Sequence, residues 1–293
     1  MTQIIQNHSI PSNVLKSLTI ISGRQRPRYA KILVVSRPKQ GKTAFIGTAS
    51  RRVLIRDDYT APKNNLIYIE CYPGESDTFI DMRLDFDMVQ PKSKESLLNF
   101  VKELKQTKYN EYDVVALDPI SFLQDIIYKD ITDRTDEGGK KRTGIRGEIL
   151  EGYRDFNLLY REIIEIIDEL ILLDKHIIVT CHGATKDHPA DMLLKNKEDR
   201  RQIQSLALDG KIAHLLGAKF SIYMELEKTG SGPNINVQAK FNNIYSEIGS
   251  RFNMPESIDN PTFKNILKHA KIDNSLYEDF NWEHTSQGFK PKL

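Results

Sequence analysis

Short apolar runs alternate with helical patterns along most of the chain. Four runs of aliphatic residues, at 32–35, 66–69, 114–117 and 177–180, predict buried strands. The longest helical pattern runs from Tyr153 to Leu173, with apolar residues on one broad face. Strands that alternate with helices are typical of parallel β-α units, and near-continuous apolar strands are typical of a sheet covered on both faces.

Two shorter helices are also predicted from the apolar spacing. One follows the first strand at 43–54, and another begins after Ser93, which is a suitable N-terminal capping residue. A third apolar stretch, at 262–270, predicts a short helix near the end of the chain.

The pattern changes after Gly217, where polar and apolar residues alternate. Two such segments, at 220–227 and 235–241, flank a glycine-rich turn at 229–234 and predict a β-hairpin that extends the sheet with antiparallel strands. The sequence therefore predicts an α/β fold with a mostly parallel central sheet flanked by helices and a C-terminal antiparallel hairpin.

We divide the chain into one domain, residues 1–258, and a C-terminal segment, residues 259–293, with a short helix and a polar tail that we expect to be frayed.

Composition limits the classes of function. The 293 residues are 39% hydrophobic and 28% charged, which is ordinary for a globular protein, and the net charge is only +2. Any affinity for nucleic acid must therefore come from local patches. Since no secretory signal or membrane-spanning run is visible, we expect a cytoplasmic protein with no membrane partner. Cys71 and Cys181 lie in separate apolar runs and are expected to be buried free thiols.

The first predicted strand leads into a loop typical of phosphate binding. The segment SRPKQGKT matches G-x-x-x-x-G-K-[ST], except that serine replaces the first glycine. Gly41 permits close approach of the backbone to phosphates, Lys42 is expected to reach the β- and γ-phosphates, and Thr43 is expected to bind Mg²⁺. The predicted cofactors are ATP and Mg²⁺, and the predicted binding residues are Ser36, Arg37, Pro38, Lys39, Gln40, Gly41, Lys42 and Thr43.

Acidic residues follow two of the predicted strands. Asp118 ends an apolar strand, where an aspartate that orients Mg²⁺ is needed, so Thr43 and Asp118 form the predicted metal site. Pro119 follows directly, so the residue that activates water must come from elsewhere. Glu70 is the first candidate and Glu75 the second.

His182 follows the fourth predicted strand and is a candidate for a hydrogen bond to the γ-phosphate. A metal site with Cys181 and His188 is less favoured because no fourth ligand has suitable spacing. Ligands of open α/β sheets bind outside the carboxyl ends of the strands, so these side chains are expected to converge at one edge.

Two polar connections, at 130–147 and 183–201, are longer than most loops of compact domains. Each connection is either functional or a solvated surface loop. Basic side chains in the first connection are suited to phosphate contacts and are candidates for DNA binding, although a run of charge is usually a solvated face. These residues are Lys140, Lys141, Arg142 and Arg146.

The order of SRPKQGKT, IYIE, VVALDPIS, IIVTCHG and GSRFNMP resembles that of phage-encoded, core-only RecA-like ATPases of single-strand annealing and recombination, over roughly residues 30–258. The resemblance implies a RecA-like P-loop NTPase fold, ATP binding, single-stranded DNA as partner, and a homo-oligomer with ATP at subunit interfaces. It also implies that Glu70 activates water and that Lys240 and Arg251 act on a neighbouring subunit's ATP. Ser36 departs from the family's loop, and the register around Glu70 is not fixed by the motifs.

These observations together predict a Mg²⁺-dependent ATPase that is stimulated by single-stranded DNA and acts in recombination or strand annealing. Two alternatives remain open. A nucleotide kinase would use the basic residues 140–146 as a lid over the phosphates, and a nucleotide-gated loader or assembly factor would show little turnover.

Overall fold

The computed structural model describes most of the chain. The described residues are 28–50, 65–82, 84, 86–133, 152–187, 202–208, 212–230, 236–241, 248–277, 282–285 and 288–291. The predicted DNA-binding residues Lys140, Lys141, Arg142 and Arg146, and also His188, lie outside them.

Up to residue 133 the described elements alternate between strand and helix, as predicted. The strands are β1 (Lys31–Ser36), β2 (Leu66–Glu70), β3 (Asp87–Val89), β4 (Val114–Asp118), β5 (His176–Asp187), β6 (Gln202–Leu206), β7 (Ile222–Thr229), β8 (Asn236–Lys240), β9 (Gly249–Ser250), β10 (Ser257–Asp259), β11 (Trp282–Thr285) and β12 (Gly288–Pro291). The helices are α1 (Lys42–Gly47), α2 (Asp77–Asp81), α3 (Lys94–Glu103), α4 (Ile120–Asp133), α5 (Gly152–Ile171), α6 (Ile212–Gly217) and α7 (Phe263–His269), and a short 3₁₀ turn spans Thr107–Tyr109.

The main sheet has the strand order β10-β8-β7-β1-β5-β4-β2-β3. All neighbours from β3 to β7 are parallel, and β8 and β10 add antiparallel strands at the other end. The predicted fold class, a mostly parallel sheet flanked by helices with an antiparallel C-terminal hairpin, is confirmed. One detail differs, because the first arm of the hairpin, β7, is itself parallel to β1. Helix α6 lies in the crossover that such a parallel pairing requires.

Each face of the sheet has its own core. In β1, Leu33 and Val35 belong to one core, whereas Ile32 and Val34 belong to the other, and all four are at most 1% exposed. Helices α3, α4, α5 and α6 supply apolar side chains to the first core, and α1, α2 and α7 supply them to the second. Alternating side chains of a strand point to opposite faces, so strands that are apolar at every position are buried by helices on both sides.

Several boundaries differ from the predictions. Helix α1 ends at Gly47, earlier than predicted, and the amides of Ala49 and Ser50 that follow it bond to carbonyls three residues earlier, as in a tight turn. Helix α4 was not predicted, and it occupies the start of the connection at 130–147 up to Asp133.

The connection at 183–201 is not entirely a loop. Residues Gly183–Asp187 continue β5 and pair antiparallel with Gln202–Leu206 of β6, so the two strands form a ribbon beyond the end of β1. The tail at 285–293, predicted to be frayed, likewise contains a strand, β12, which pairs with β11. In both places, pairing with the neighbouring strand in the chain overrides a polar local sequence.

Cys71 and Cys181 are buried free thiols, as predicted. Among the helices that the structure describes, none is both long and apolar enough to cross a membrane.

Candidate phosphate-binding site

The loop between β1 and α1 has the backbone conformation that its glycine allows. Gly41 has a φ of 99° and Lys39 a φ of 64°, so two left-handed residues flank Gln40. Ser36, which replaces the first glycine of the motif, is the last residue of β1 and is not among the residues with positive φ. Its hydroxyl donates to the carbonyl of Arg37 at 3.0 Å. Serine is therefore tolerated here without backbone strain.

Lys42 lies inside the curve of this loop and is only 6% exposed. Its ammonium group donates to the Ser36 carbonyl at 3.4 Å, the Ser36 hydroxyl at 3.3 Å and the Arg37 carbonyl at 3.3 Å. Burial lowers the pKa of Lys42, while the nearby carboxylates of Asp118 and Glu75 partly counteract this. A desolvated ammonium beside open loop backbone is well suited to a phosphate anion.

Asp118 is fully buried and is held by three hydroxyl groups from different parts of the fold. Its Oδ2 accepts hydrogen bonds from Thr43 at 2.7 Å and from Tyr68 at 2.9 Å, and its Oδ1 accepts one from Thr180. The peptide bond to Pro119 is cis. The hydroxyl of Thr43 beside a carboxylate gives the hard oxygen donors that Mg²⁺ prefers, so these residues fit the predicted ion.

Glu70 lies next to Asp118 across the β2–β4 pairing, but its carboxylate is already occupied. Its Oε1 accepts from the Ser76 backbone amide at 2.8 Å, and its Oε2 accepts from the Gln90 side chain. Burial alone would raise the pKa of Glu70, but the hydrogen bonds from Ser76, Gln90 and Gly74 outweigh it, and the pKa lies below its usual value. The residue is 2% exposed and anchors the turn that follows β2.

Glu75 lies in that turn and has the opposite character. The side chain is half-buried, and burial raises its pKa, assisted by the charges of Asp118 and Glu70. Lys42 and Thr43 act on this pKa in the other direction, so Glu75 lies within electrostatic reach of the phosphate loop. A carboxylate with a raised pKa in such a position is suited to accept a proton.

His182 is in register with Ser36, at the end of β1. Its backbone amide donates to the Ser121 hydroxyl at 3.2 Å, and its ring meets the Phe122 ring edge-on, with centroids 5.3 Å apart. Burial lowers the pKa of His182, and Lys42 lowers it further against the effect of Asp118. The imidazole is therefore neutral near pH 7 and carries one N–H donor.

The structure thus gathers Lys42, Thr43, Asp118, Glu75 and His182 at the carboxyl edge of the sheet. Sequence reasoning missed Tyr68 and Thr180, which hold the Asp118 carboxylate. The available signal was a hydroxyl inside each of two apolar strands, LIYIE and IIVT, because a buried hydroxyl needs a polar partner.

Lys240 and Arg251 occupy different ends of the sheet. Lys240 is in register with Glu225, which is in register with Val35, so it lies two strands from the loop, and it is ion-paired with Glu227. Arg251 lies at the amino-terminal ends of the parallel strands, opposite the phosphate loop. Its backbone amide donates to the Ser221 carbonyl, and its guanidinium donates to the Ala218 carbonyl at 2.6 Å.

The fold and this loop together define a P-loop NTPase. The chain belongs to the AAA domain family, whose model matches residues 28–227. It is therefore a nucleotide-binding ATPase domain, and residues 36–43 are its candidate phosphate loop.

Among solved structures, the chain is similar to one described as the crystal structure of the RadB recombinase. The identity is 13% and the TM-score 0.40, over 90% of this chain and 93% of that chain. A comparison with curated proteins finds no match.

Proposed function

We propose that this protein binds ATP with Mg²⁺, hydrolyses it, and acts on single-stranded DNA in recombination or strand annealing, like the phage-type core-only ATPases that it resembles. The observation that carries the proposal is the group formed by Lys42, Thr43, Asp118 and Glu75 around one phosphate loop at the carboxyl edge of the sheet. Phosphoryl transfer to water requires mainly positioning and charge stabilisation, which these residue types provide.

Each residue has a distinct role in this proposal. Lys42 neutralises charge on the transferred phosphate, and Thr43 and Asp118 would hold a Mg²⁺ ion. An ion held there would supply charge neutralisation at the phosphate oxygens. Tyr68 and Thr180 keep the Asp118 carboxylate in position, because both donate to it from neighbouring strands.

Glu75 is the stronger candidate for the residue that accepts a proton from the attacking water. Both carboxylate oxygens of Glu70 are engaged by Ser76 and Gln90, and its low pKa makes it a weak base. Glu75 has a raised pKa and lies near Lys42 and Thr43. His182, a neutral donor at the end of β1, remains the candidate for a hydrogen bond to the γ-phosphate.

The DNA and assembly parts of the proposal rest on the family resemblance and on the basic residues of 140–146. The position of Arg251 supports a role between subunits. Its backbone lies beside Ser221, near the start of β1, which places it about 16 Å along the strands from the phosphate loop. Arg251 is thus far from the phosphate loop of its own chain. The proposed action of Arg251 on ATP therefore requires the ATP of a neighbouring subunit.

The test is ATP turnover with and without single-stranded DNA, in wild type and in Lys42→Ala. We expect stimulation by DNA in wild type and loss of nucleotide binding or turnover in the variant. Unchanged hydrolysis in Lys42→Ala would overturn the site assignment.

The same assay separates the alternatives. Phosphate transfer to a nucleoside monophosphate indicates a kinase, and ATP binding without turnover indicates a loader or assembly factor. Mixing wild type with Arg251→Ala then tests the interface. The variant is expected to lower the ATP turnover of wild-type subunits in mixed assemblies only when Arg251 acts on a neighbouring subunit.

A further inference from the structure

The β7–β8 hairpin runs past the end of the strand that carries the phosphate loop. Strand β7 pairs with β1 only from Ile222 to Glu225, because β1 then turns into the loop. Residues Leu226–Thr229 continue as a strand that pairs with β8 on the other side. The projecting part of the hairpin therefore lies beside the phosphate loop, along an edge that β1 no longer covers.

Gln40 fills part of this uncovered edge. Its side-chain carbonyl oxygen accepts a hydrogen bond from the backbone amide of Lys228 at 2.7 Å. Since the donor is a backbone N–H, the partner must be the oxygen of the Gln40 amide. Gln40 lies between the two left-handed residues Lys39 and Gly41, at the crest of the loop, and is half-buried.

The charge of Arg37 also acts on the same strand. Burial raises the pKa of Glu225, and the positive charges of Lys240 and Arg37 counteract it, which places Arg37 within electrostatic reach of Glu225. The loop thus contacts β7 through one hydrogen bond, and the attraction between the charges of Arg37 and Glu225 acts over a longer distance.

We propose that Gln40 is a positioning residue that fastens the crest of the phosphate loop to the β7–β8 hairpin, so that nucleotide binding and hairpin order depend on each other. A loop held in its binding conformation loses less conformational freedom when a ligand binds. The linkage is reciprocal, so a nucleotide that orders the loop also stabilises the Lys228 contact. This inference rests on the proposed function to the extent that it takes ATP as the ligand of the loop.

The first measurement is made without nucleotide, on the full chain, and follows hydrogen exchange of the Lys228 amide by NMR. Gln40→Ala removes the acceptor, so exchange is expected to accelerate by about two- to tenfold. Gln40→Glu keeps an acceptor oxygen and is expected to restore the slow exchange. Unchanged exchange in Gln40→Ala would show that the hydrogen bond does not hold the hairpin.

The second measurement is affinity for a non-hydrolysable ATP analogue with Mg²⁺, by calorimetry. Gln40→Ala and Lys228→Pro, which removes the donor amide, are each expected to weaken binding by about two- to tenfold. The double variant is expected to bind the analogue no more weakly than the single variant of lower affinity, because both changes remove the same contact. Lys228→Arg keeps the amide and the charge and serves as the matched control, with affinity near that of wild type.

Fully additive losses in the double variant would overturn the proposal, as would equal losses in Lys228→Arg and Lys228→Pro. Thermal unfolding of each variant shows whether the fold is retained. If wild type itself binds no nucleotide, the proposed function fails and so does the link to binding, while the amide exchange still decides whether Gln40 holds the hairpin.

Discussion

Glu70 and Glu75 are five residues apart, and their surroundings move the two pKa values in opposite directions. Hydrogen bonds from Ser76 and Gln90 stabilise the charged form of Glu70, whereas burial near other carboxylates favours the protonated form of Glu75. The surroundings of each carboxylate, and not its residue type, therefore decide whether it suits a structural role or the proposed role of proton acceptor.

We predict that Glu75→Gln lowers ATP turnover by about 10²- to 10⁴-fold and leaves nucleotide binding nearly unchanged, because it removes only the proton acceptor. Steady-state hydrolysis and nucleotide titration measure the two effects. The acid limb of the pH–rate profile in wild type is expected above the usual glutamate pKa of about 4.3, since burial raises the pKa of Glu75.

Glu70→Gln is the matched comparison. It is expected to keep measurable turnover but to destabilise the fold by about 1.5–3 kcal/mol, because it weakens hydrogen bonds to a buried charge. The opposite result, inactive Glu70→Gln and active Glu75→Gln, would return the role of proton acceptor to Glu70.

The sequence indicated the position of Lys42, Thr43 and Asp118 well, since a motif of fixed spacing and a strand end are local features. It ranked Glu70 before Glu75, which is the reverse of the order that we propose from the structure. That choice depends on the turn after β2, which is held by Gln90, twenty residues further along the chain. The orientation of a carboxylate in such a turn is set by contacts that no local pattern shows.

At the level of elements, the same limit applies to strands that are not apolar. The runs at 32–35, 66–69 and 114–117 were predicted within a residue or two because burial on both faces leaves a clear apolar signature. The end of β5, by contrast, reads CHGATKD and is a strand because β6 pairs with it. The parallel pairing of β7 with β1 was missed for the same reason, since it depends on a partner about 190 residues away.

Helix α3 shows which element signals are reliable. Ser93 was predicted as its N-cap, and the structure has a full capping box in which the Ser93 hydroxyl accepts from the Ser96 amide at 3.1 Å and the Ser96 hydroxyl accepts from the Ser93 amide at 3.1 Å. Capping depends on residues within one turn, so the sequence contains the whole signal.

We predict that Ser93→Ala lowers the free energy of unfolding by about 1 kcal/mol, because it leaves an amide of the first turn without its partner. Urea unfolding followed by circular dichroism measures the change. Ser96→Ala, which removes the other half of the box, is expected to cost less. A change within error in Ser93→Ala would mean that water replaces the cap without loss.

On the scale of the whole molecule, the C-terminal segment is joined to the element that follows the phosphate loop. Phe263 at the start of α7 donates its backbone amide to the Thr48 hydroxyl at 2.8 Å, directly after α1. Its ring packs edge-on against His176 at 5.4 Å and against Tyr277 at 5.0 Å between centroids. The division at residue 258 stays a prediction, but α7 shares its core with α1 and β1.

Phe263 is fully buried in the core that also contains Phe45 and Ile46 of α1. Removal of its ring is therefore expected to weaken the packing of the helix that follows the phosphate loop. We predict that Phe263→Ala lowers the free energy of unfolding by about 3–5 kcal/mol, because it removes a large buried ring and leaves a cavity. Lys268→Ala, an exposed position on the same helix, is expected to change it by less than about 0.5 kcal/mol. Urea unfolding measures both changes. A loss of free energy of unfolding below about 1 kcal/mol in Phe263→Ala would indicate that the stability of the domain does not depend on the packing of residues 259–293.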